Sequence, residues 1–248
     1  MKMELSRKII LVFFILLSFY VFSRKLSRTN SNPKATNEEP LFINNPAYWE
    51  KKLPAVLIIG AKKCGTGALI KFLTLHPDIA RPSTPEVHFF DKDRHYYLGV
   101  PWYLDQMPLV SPRQIVVEKS PKYFVSPPAV ARIHSFNSSI KLILMVRDPV
   151  NRTISDFYHD LVRNNRSITN FSLQLQQEVL DSDSNVNTNS SYISVSSYVL
   201  HLRRWLRTFQ KLQFHFVDGD SFAKTNPSKE LRKIEQFLGL RQDELKKL

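Results

Sequence analysis

The segment 55–73, AVLIIGAKKCGTGALIKFL, constrains the fold more than any other part of the chain. It opens with a wholly apolar, β-branched run of strand length, passes through a turn with three glycines, and ends in a stretch with helical character. A strand that enters a helix through such a turn begins a βα unit, and an apolar run of this kind is a strand buried on both faces. Three further short runs read the same way: Ile115–Val117, Leu142–Val146 and Phe214–Val217. Helices are predicted over Thr66–Leu75, Pro127–His134 with Ser126 as N-cap, Pro149–Val162, Phe171–Leu180, Ser196–Phe209 and Ser228–Leu238. Strands alternating with helices predict an α/β fold, a single domain around a central parallel sheet, with ligands gathered at the carboxyl ends of the strands. The segment 181–191, DSDSNVNTNSS, reads as a polar surface loop.

The chain has 248 residues and a formal net charge of +13. Residues 1–50 hold seven basic and four acidic side chains, so the remainder carries +10 and the basic excess belongs to the folded part. That balance predicts a polyanionic partner. Residues Ile9 to Phe22 form an uncharged apolar run between Arg7-Lys8 and Arg24-Lys25, which reads as a short, uncleaved signal anchor, with the core of a cleaved signal peptide as the alternative. Ser27 to Pro40 is polar and aperiodic, as in a flexible stem. The expected organisation is a cytoplasmic tail and anchor over 1–26, a stem over 27–45 and a catalytic or binding domain over 46–248. Five N-x-S/T sequons, at Asn137, Asn151, Asn165, Asn170 and Asn189, fit a lumenal domain, a placement that removes nucleic acid as a partner and leaves sulfated glycans as the leading polyanion. A single cysteine, Cys64, allows no intrachain disulfide and builds no zinc or iron–sulfur site by itself.

The turn from Gly60 to Gly67 offers backbone N–H groups and a helix N-terminus to an anion. It differs from a Walker A loop, because Lys62 and Lys63 precede Gly65 and the Lys-Ser/Thr pair after the last glycine is missing, so magnesium-dependent nucleotide hydrolysis is not expected. A connector with solvated lysines is the plain alternative. In the segment 85–91, PEVHFFD, an extended backbone places Glu86, His88 and Phe90 on one face and Val87, Phe89 and Asp91 on the other. Glu86 beside His88 can take a proton from a hydroxyl, or the two can be a surface carboxylate and a core imidazole. Lys119 and Arg147 follow strands, and Ser155 lies two turns into the next helix; arginine and serine together suit a phosphate. Arg147 and Asp148 alternatively form a structural ion pair.

Six segments, GAKKCGTGAL, PEVHFFD, GVPWYLDQMP, VEKSPKYF, RIHSFNSSIKLILMVRDPVNRTISDF and FHFVDGD, occur in an order that resembles the heparan sulfate glucosamine 3-O-sulfotransferases, from about Pro54 to Leu240. The resemblance implies a phosphosulfate-binding, P-loop-like strand–loop–helix and a single-pass type II protein of the Golgi membrane. It implies 3′-phosphoadenosine 5′-phosphosulfate (PAPS) as donor, with no metal. Lys63 and the backbone of Cys64, Gly65, Thr66 and Gly67 would hold the 5′-phosphosulfate, and Arg147 and Ser155 the 3′-phosphate. Glu86 matches the family's general base, with His88, Asp91 and Lys119 around the acceptor and the transferring group. An N-sulfotransferase shares the loop and the glutamate; His88 and Asp91 favour the 3-O branch. In the segment 197–205, Tyr198 and Trp205 read as packing residues. Gly67 stands where relatives carry an arginine, and Cys64 replaces a glycine. The resemblance implies transfer of a sulfuryl group from PAPS to a glucosamine 3-hydroxyl of heparan sulfate, and it also implies sequence beyond Leu248, where family members carry a cysteine-bridged hairpin, a loop that closes over the nucleotide and a final helix; the alternative is a catalytically impaired heparan-sulfate-binding relative.

Overall fold

Residues 45–241 are described in the computed structural model. The expected anchor at 9–22 and stem at 27–40 lie outside the described residues. No helix among the described residues is long and apolar enough to cross a membrane.

Strand β1 (Glu50–Lys51) is followed by β2 (Val56–Gly60), every residue of which is buried. Helix α1 (Thr66–Leu73) returns the chain to β3 (Ile79–Ala80). Helices α2 (Asp93–Tyr96) and α3 (Gly99–Asp105), then β4 (Leu109–Val110), lead to β5 (Ile115–Lys119). Helix α4 (Pro127–Phe136), β6 (Lys141–Val146) and α5 (Pro149–Arg163) follow, then α6 (Phe171–Val179), α7 (Ser191–Ser196), α8 (Tyr198–Leu206), β7 (Phe214–Asp218), α9 (Gly219–Lys224) and α10 (Ser228–Leu238). The main sheet is parallel, in the order β3-β5-β2-β6-β7, and β1 pairs antiparallel with β4 apart from it.

The order places β2 between β5 and β6. The chain leaves β2 toward one edge and later crosses to the other side, so the carboxyl end of β2 is a switch point where a crevice opens. The residues that follow β2, β5 and β6 meet there.

The four predicted strands and most of the predicted helices are present. Ser126 occupies the N-cap position of α4 with an extended backbone, but its side chain makes no capping hydrogen bond; Pro127 at the first helical position has no N–H to satisfy. The single helix expected over 196–209 is two, α7 and α8, interrupted at Ser197. The Ser196 hydroxyl there donates to the Pro149 carbonyl at 3.0 Å and accepts from Arg152 Nε at 2.6 Å, which ties the interruption to α5. Trp205 packs in the core and donates from Nε1 to the Phe124 carbonyl at 2.9 Å, so its expected packing role holds.

Gly219 opens α9 directly against the loop after β2. A Cβ at this position would lie 2.4 Å from the Cys64 carbonyl oxygen and 3.1 Å from that of Val146. Both obstacles are backbone, so relief requires moving the loop or the sheet end. Gly219→Ala is expected to destabilise the fold by about 1–3 kcal/mol, the usual cost of overpacking, read as a lower urea midpoint; an unchanged midpoint would show that α9 and the loop move freely apart.

Candidate active site

The crevice at the end of β2 is a cleft of about 660 Å³. One wall is the loop itself. Gly65 adopts φ +103°, a left-handed conformation suited to glycine, and caps α1 without a side chain. The N–H groups of Lys63, Gly65, Thr66 and Gly67 donate to no backbone acceptor among the described residues. Free amides at the positive end of a helix form an anion cradle. The lysine pair divides its roles: Lys62 is bound to Asp156 at 2.7 Å, with Asp160 at 3.7 Å, whereas Lys63 lines the cleft with no ion-pair partner among the described residues. Partial burial, together with the neighbouring Lys62 and Arg152 charges, lowers the Lys63 pKa despite Asp156 and Asp160.

Arg147 follows β6 and enters the cleft with Ser155 of α5. Asp148 does not pair with this arginine. Its carboxylate caps α5 by accepting the Asn151 N–H at 2.7 Å, and Arg147 instead meets Asp220 at 3.3 Å. A second, mostly apolar cavity of about 470 Å³ adjoins the first and shares Arg147 and Ser155 with it; Ile154, Tyr158, Ile168 and Phe171 supply its apolar surface.

Opposite the loop, Glu86 is held on both oxygens. Lys119, the last residue of β5, donates from Nζ to Oε1 at 2.6 Å, and His88 Nε2 lies 3.1 Å from Oε2. The other imidazole nitrogen, Nδ1, lies 3.0 Å from both oxygens of Asp91. Burial would raise the Glu86 pKa, but the hydrogen bonds and charges of His88 and Lys119 outweigh it and bring it to about 2. Hydrogen bonds to Asp91 and Glu86 push His88 up to about 9 against its own desolvation. The imidazole is therefore a cation at neutral pH, lying between two carboxylates.

The structure brings together Lys63, Gly65, Thr66, Gly67, Glu86, His88, Lys119, Arg147 and Ser155 in one cleft. Two expected site residues do not line it. Asp91 stands behind His88 with its side chain 6% exposed, where it orients the imidazole and cannot reach an acceptor. The expected alternation along 85–91 fails because His88 adopts φ +55°, which breaks the extended run, turns Phe90 into the core and brings Asp91 round to His88. Cys64 points into the core at 2% exposure, with its Sγ 3.4 Å from the Tyr198 hydroxyl and its N–H donating to the Ala61 carbonyl. Burial raises its thiol pKa. Lys92 and Lys122 also line the cleft, and neither follows an apolar strand run that would signal it in the sequence. Gly67 faces open space: a Cβ there meets nothing within 4 Å, so the loop accommodates a side chain at this position.

A sulfotransferase domain model matches residues 53–248. The chain belongs to the sulfotransferase domain family. It is 42% identical over 191 residues to heparan sulfate glucosamine 3-O-sulfotransferase 5 of Mus musculus, covering 77% of this chain and 54% of that protein. Heparan sulfate glucosamine 3-O-sulfotransferase 3B1 of Mus musculus is 42% identical over 216 residues, covering 87% of this chain and 54% of the relative. The chain thus spans about half the length of these curated relatives. Among solved structures, a sulfotransferase from Alicyclobacillus acidocaldarius superposes with a TM-score of 0.63 at 28% identity, over 77% of this chain and 83% of that one. The sulfotransferase fold, with its parallel sheet and strand–loop–helix cradle, is the architecture expected from the sequence.

The paired pKa shifts give opposite pH dependences. His88 is raised above its ordinary 6.5, so its contribution to stability is complete below that pH and is lost as pH rises through about 9. Glu86 is lowered from 4.5, so its contribution is complete above pH 4.5 and is lost as pH falls through about 2. Urea midpoints are expected to decline on the alkaline side between about 6.5 and 9, and less so in Asp91→Asn; an identical alkaline decline in that variant would contradict the imidazolium assignment.

Proposed function

We propose that this sulfotransferase-family chain transfers a sulfuryl group from PAPS to the glucosamine 3-hydroxyl of heparan sulfate. The observation that carries the reading is the Glu86 carboxylate, bound by Lys119 and His88 and facing the amide cradle across one basic cleft. Similarity to the 3-O-sulfotransferases supports the acceptor class.

Lys63 and the free amides of Gly65, Thr66 and Gly67 would hold the phosphosulfate, and Arg147 with Ser155 the 3′-phosphate. The adjoining apolar cavity, which shares the last two residues, suits the purine. Glu86 takes the proton of the acceptor hydroxyl as its oxygen attacks sulfur in line; the new O–S bond forms while the bond from sulfur to the phosphate oxygen breaks. 3′-Phosphoadenosine 5′-phosphate leaves, with Lys63 and Lys119 neutralising charge on the departing oxygen. A carboxylate with a pKa near 2 is a weak base, and the best base has a pKa near the working pH. Lys119 lines the same cleft as the cradle, and a bound phosphosulfate that competed for its ammonium would leave Glu86 more basic. Asp91 keeps His88 protonated and in place. Lys92 and Lys122 add positive charge beside the acceptor.

The same reading places the domain in the Golgi lumen on a type II anchor. Its support is the uncharged run from Ile9 to Phe22 with basic flanks, and the five sequons in the folded part.

The test is transfer of radiolabelled sulfate from PAPS to heparan sulfate, followed by disaccharide analysis. Label is expected on the glucosamine 3-hydroxyl, and Glu86→Gln is expected to lower turnover by about 10²–10⁴, the range for loss of a general base, with donor affinity retained. Label on the amino nitrogen would assign an N-sulfotransferase instead, and undiminished turnover in Glu86→Gln would remove the base from its role.

A further inference from the structure

The segment 86–91 carries the reacting carboxylate yet belongs to no helix or strand, so its backbone polar groups have no ladder to satisfy them. Side chains take that place. The His88 N–H donates to the Ser120 hydroxyl at 3.0 Å, and that hydroxyl donates to Glu118 Oε1 at 2.6 Å. The Phe89 N–H donates to the Tyr123 hydroxyl at 2.9 Å. Tyr103 donates to Glu118 Oε2 at 3.3 Å, and the Tyr123 hydroxyl and the Val87 amide lie near enough to the same carboxylate to lower its pKa. On the other side, His95 Nδ1 lies 3.0 Å from the Val87 carbonyl and 3.1 Å from that of His88.

Glu118 is 1% exposed and Ser120 is fully buried. No cationic side chain among the described residues pairs with Glu118; its partners are hydroxyls and an amide. Desolvation raises its pKa to about 7 despite those bonds. An unpaired buried carboxylate costs stability wherever it ionises, so ordinary packing gives no reason for one at this position. Its contacts do: they converge on three successive residues, Val87, His88 and Phe89, and on the one that holds a left-handed backbone.

We infer that Glu118, acting through Ser120 and Tyr123, is a positioning residue that fixes the His88 backbone and with it the Glu86–His88 pairing used in the reaction. The inference rests on the catalytic reading of Glu86. Lys119 and Glu118 are adjacent on β5 and, as neighbours on a strand, point to opposite faces. One strand end therefore supplies a cation to the front of Glu86 and an anchor to the loop behind it.

The test compares Ser120→Ala with the unaltered protein by NMR titration of the His88 imidazole and by steady-state kinetics. The His88 midpoint is expected to fall from near 9 toward 6.5 as the ring loses its place between Glu86 and Asp91. Turnover is expected to drop by up to about 10²-fold, the scale of a small misplacement of reacting groups, with the KM for PAPS within twofold. A folded Ser120→Ala variant with both the His88 midpoint and kcat unchanged would overturn the inference. If that variant does not fold, Tyr123→Phe, which removes only the hydroxyl on the Phe89 N–H, is judged by the same two readouts. If the unaltered protein transfers no sulfuryl group, the functional reading fails, while the His88 titration still decides the positioning role.

Discussion

The contact between Lys119 Nζ and Glu86 Oε1, at 2.6 Å, joins the sheet to the irregular segment that carries Glu86. Lys119 is at the end of β5, and its position follows from the parallel register in which it faces Ile58 of β2. Side chains along a strand alternate between faces, so a slip of one residue would turn Lys119 away from the cleft and put Glu118 in its place. All five residues of β2 are buried, which places this strand at the centre of the sheet beside β5. Packing in the core thus determines where the cation at the site stands.

Around this contact the cleft separates its charges by attachment. Lys62 and Arg152 are bound to Asp156, and Arg147 to Asp220, so these cations hold the loop and strand ends together. Lys63, Lys92 and Lys122 have no ion-pair partner among the described residues and give the cleft its net positive field. Such a field favours polyanions, as the proposed donor and acceptor both are, and this gives the chain's +13 a narrower meaning.

The βα alternation was readable in the sequence because each strand is a continuous apolar run and most helices begin with recognisable punctuation, as at Pro127 and Pro149. The edge strand β3 was not, since two residues carry no periodic pattern. Lys63 and Lys119 were legible as cleft residues from their places at strand ends, and Glu86 and His88 from residue type in the segment 85–91; all four line the cleft. Asp91 and Cys64 were misplaced for local reasons: a left-handed His88 redirects the first, and a thiol small enough to enter the core removes the second from the cleft. Glu118 gave no signal at all, because a glutamate within an apolar strand becomes interpretable only when its partners from α3 and from the 86–91 segment are seen around it. The break at Ser197 was equally hidden, as it depends on Arg152 reaching Ser196 across 44 residues of sequence.

The proposed donor site, formed by the loop after β2 and by Arg147 in one cleft, is checked by calorimetric titration with 3′-phosphoadenosine 5′-phosphate. One-to-one binding that weakens with added salt and is lost in Lys63→Ala is the predicted result; absence of binding to the unaltered protein, or equal binding by the variant, would contradict it.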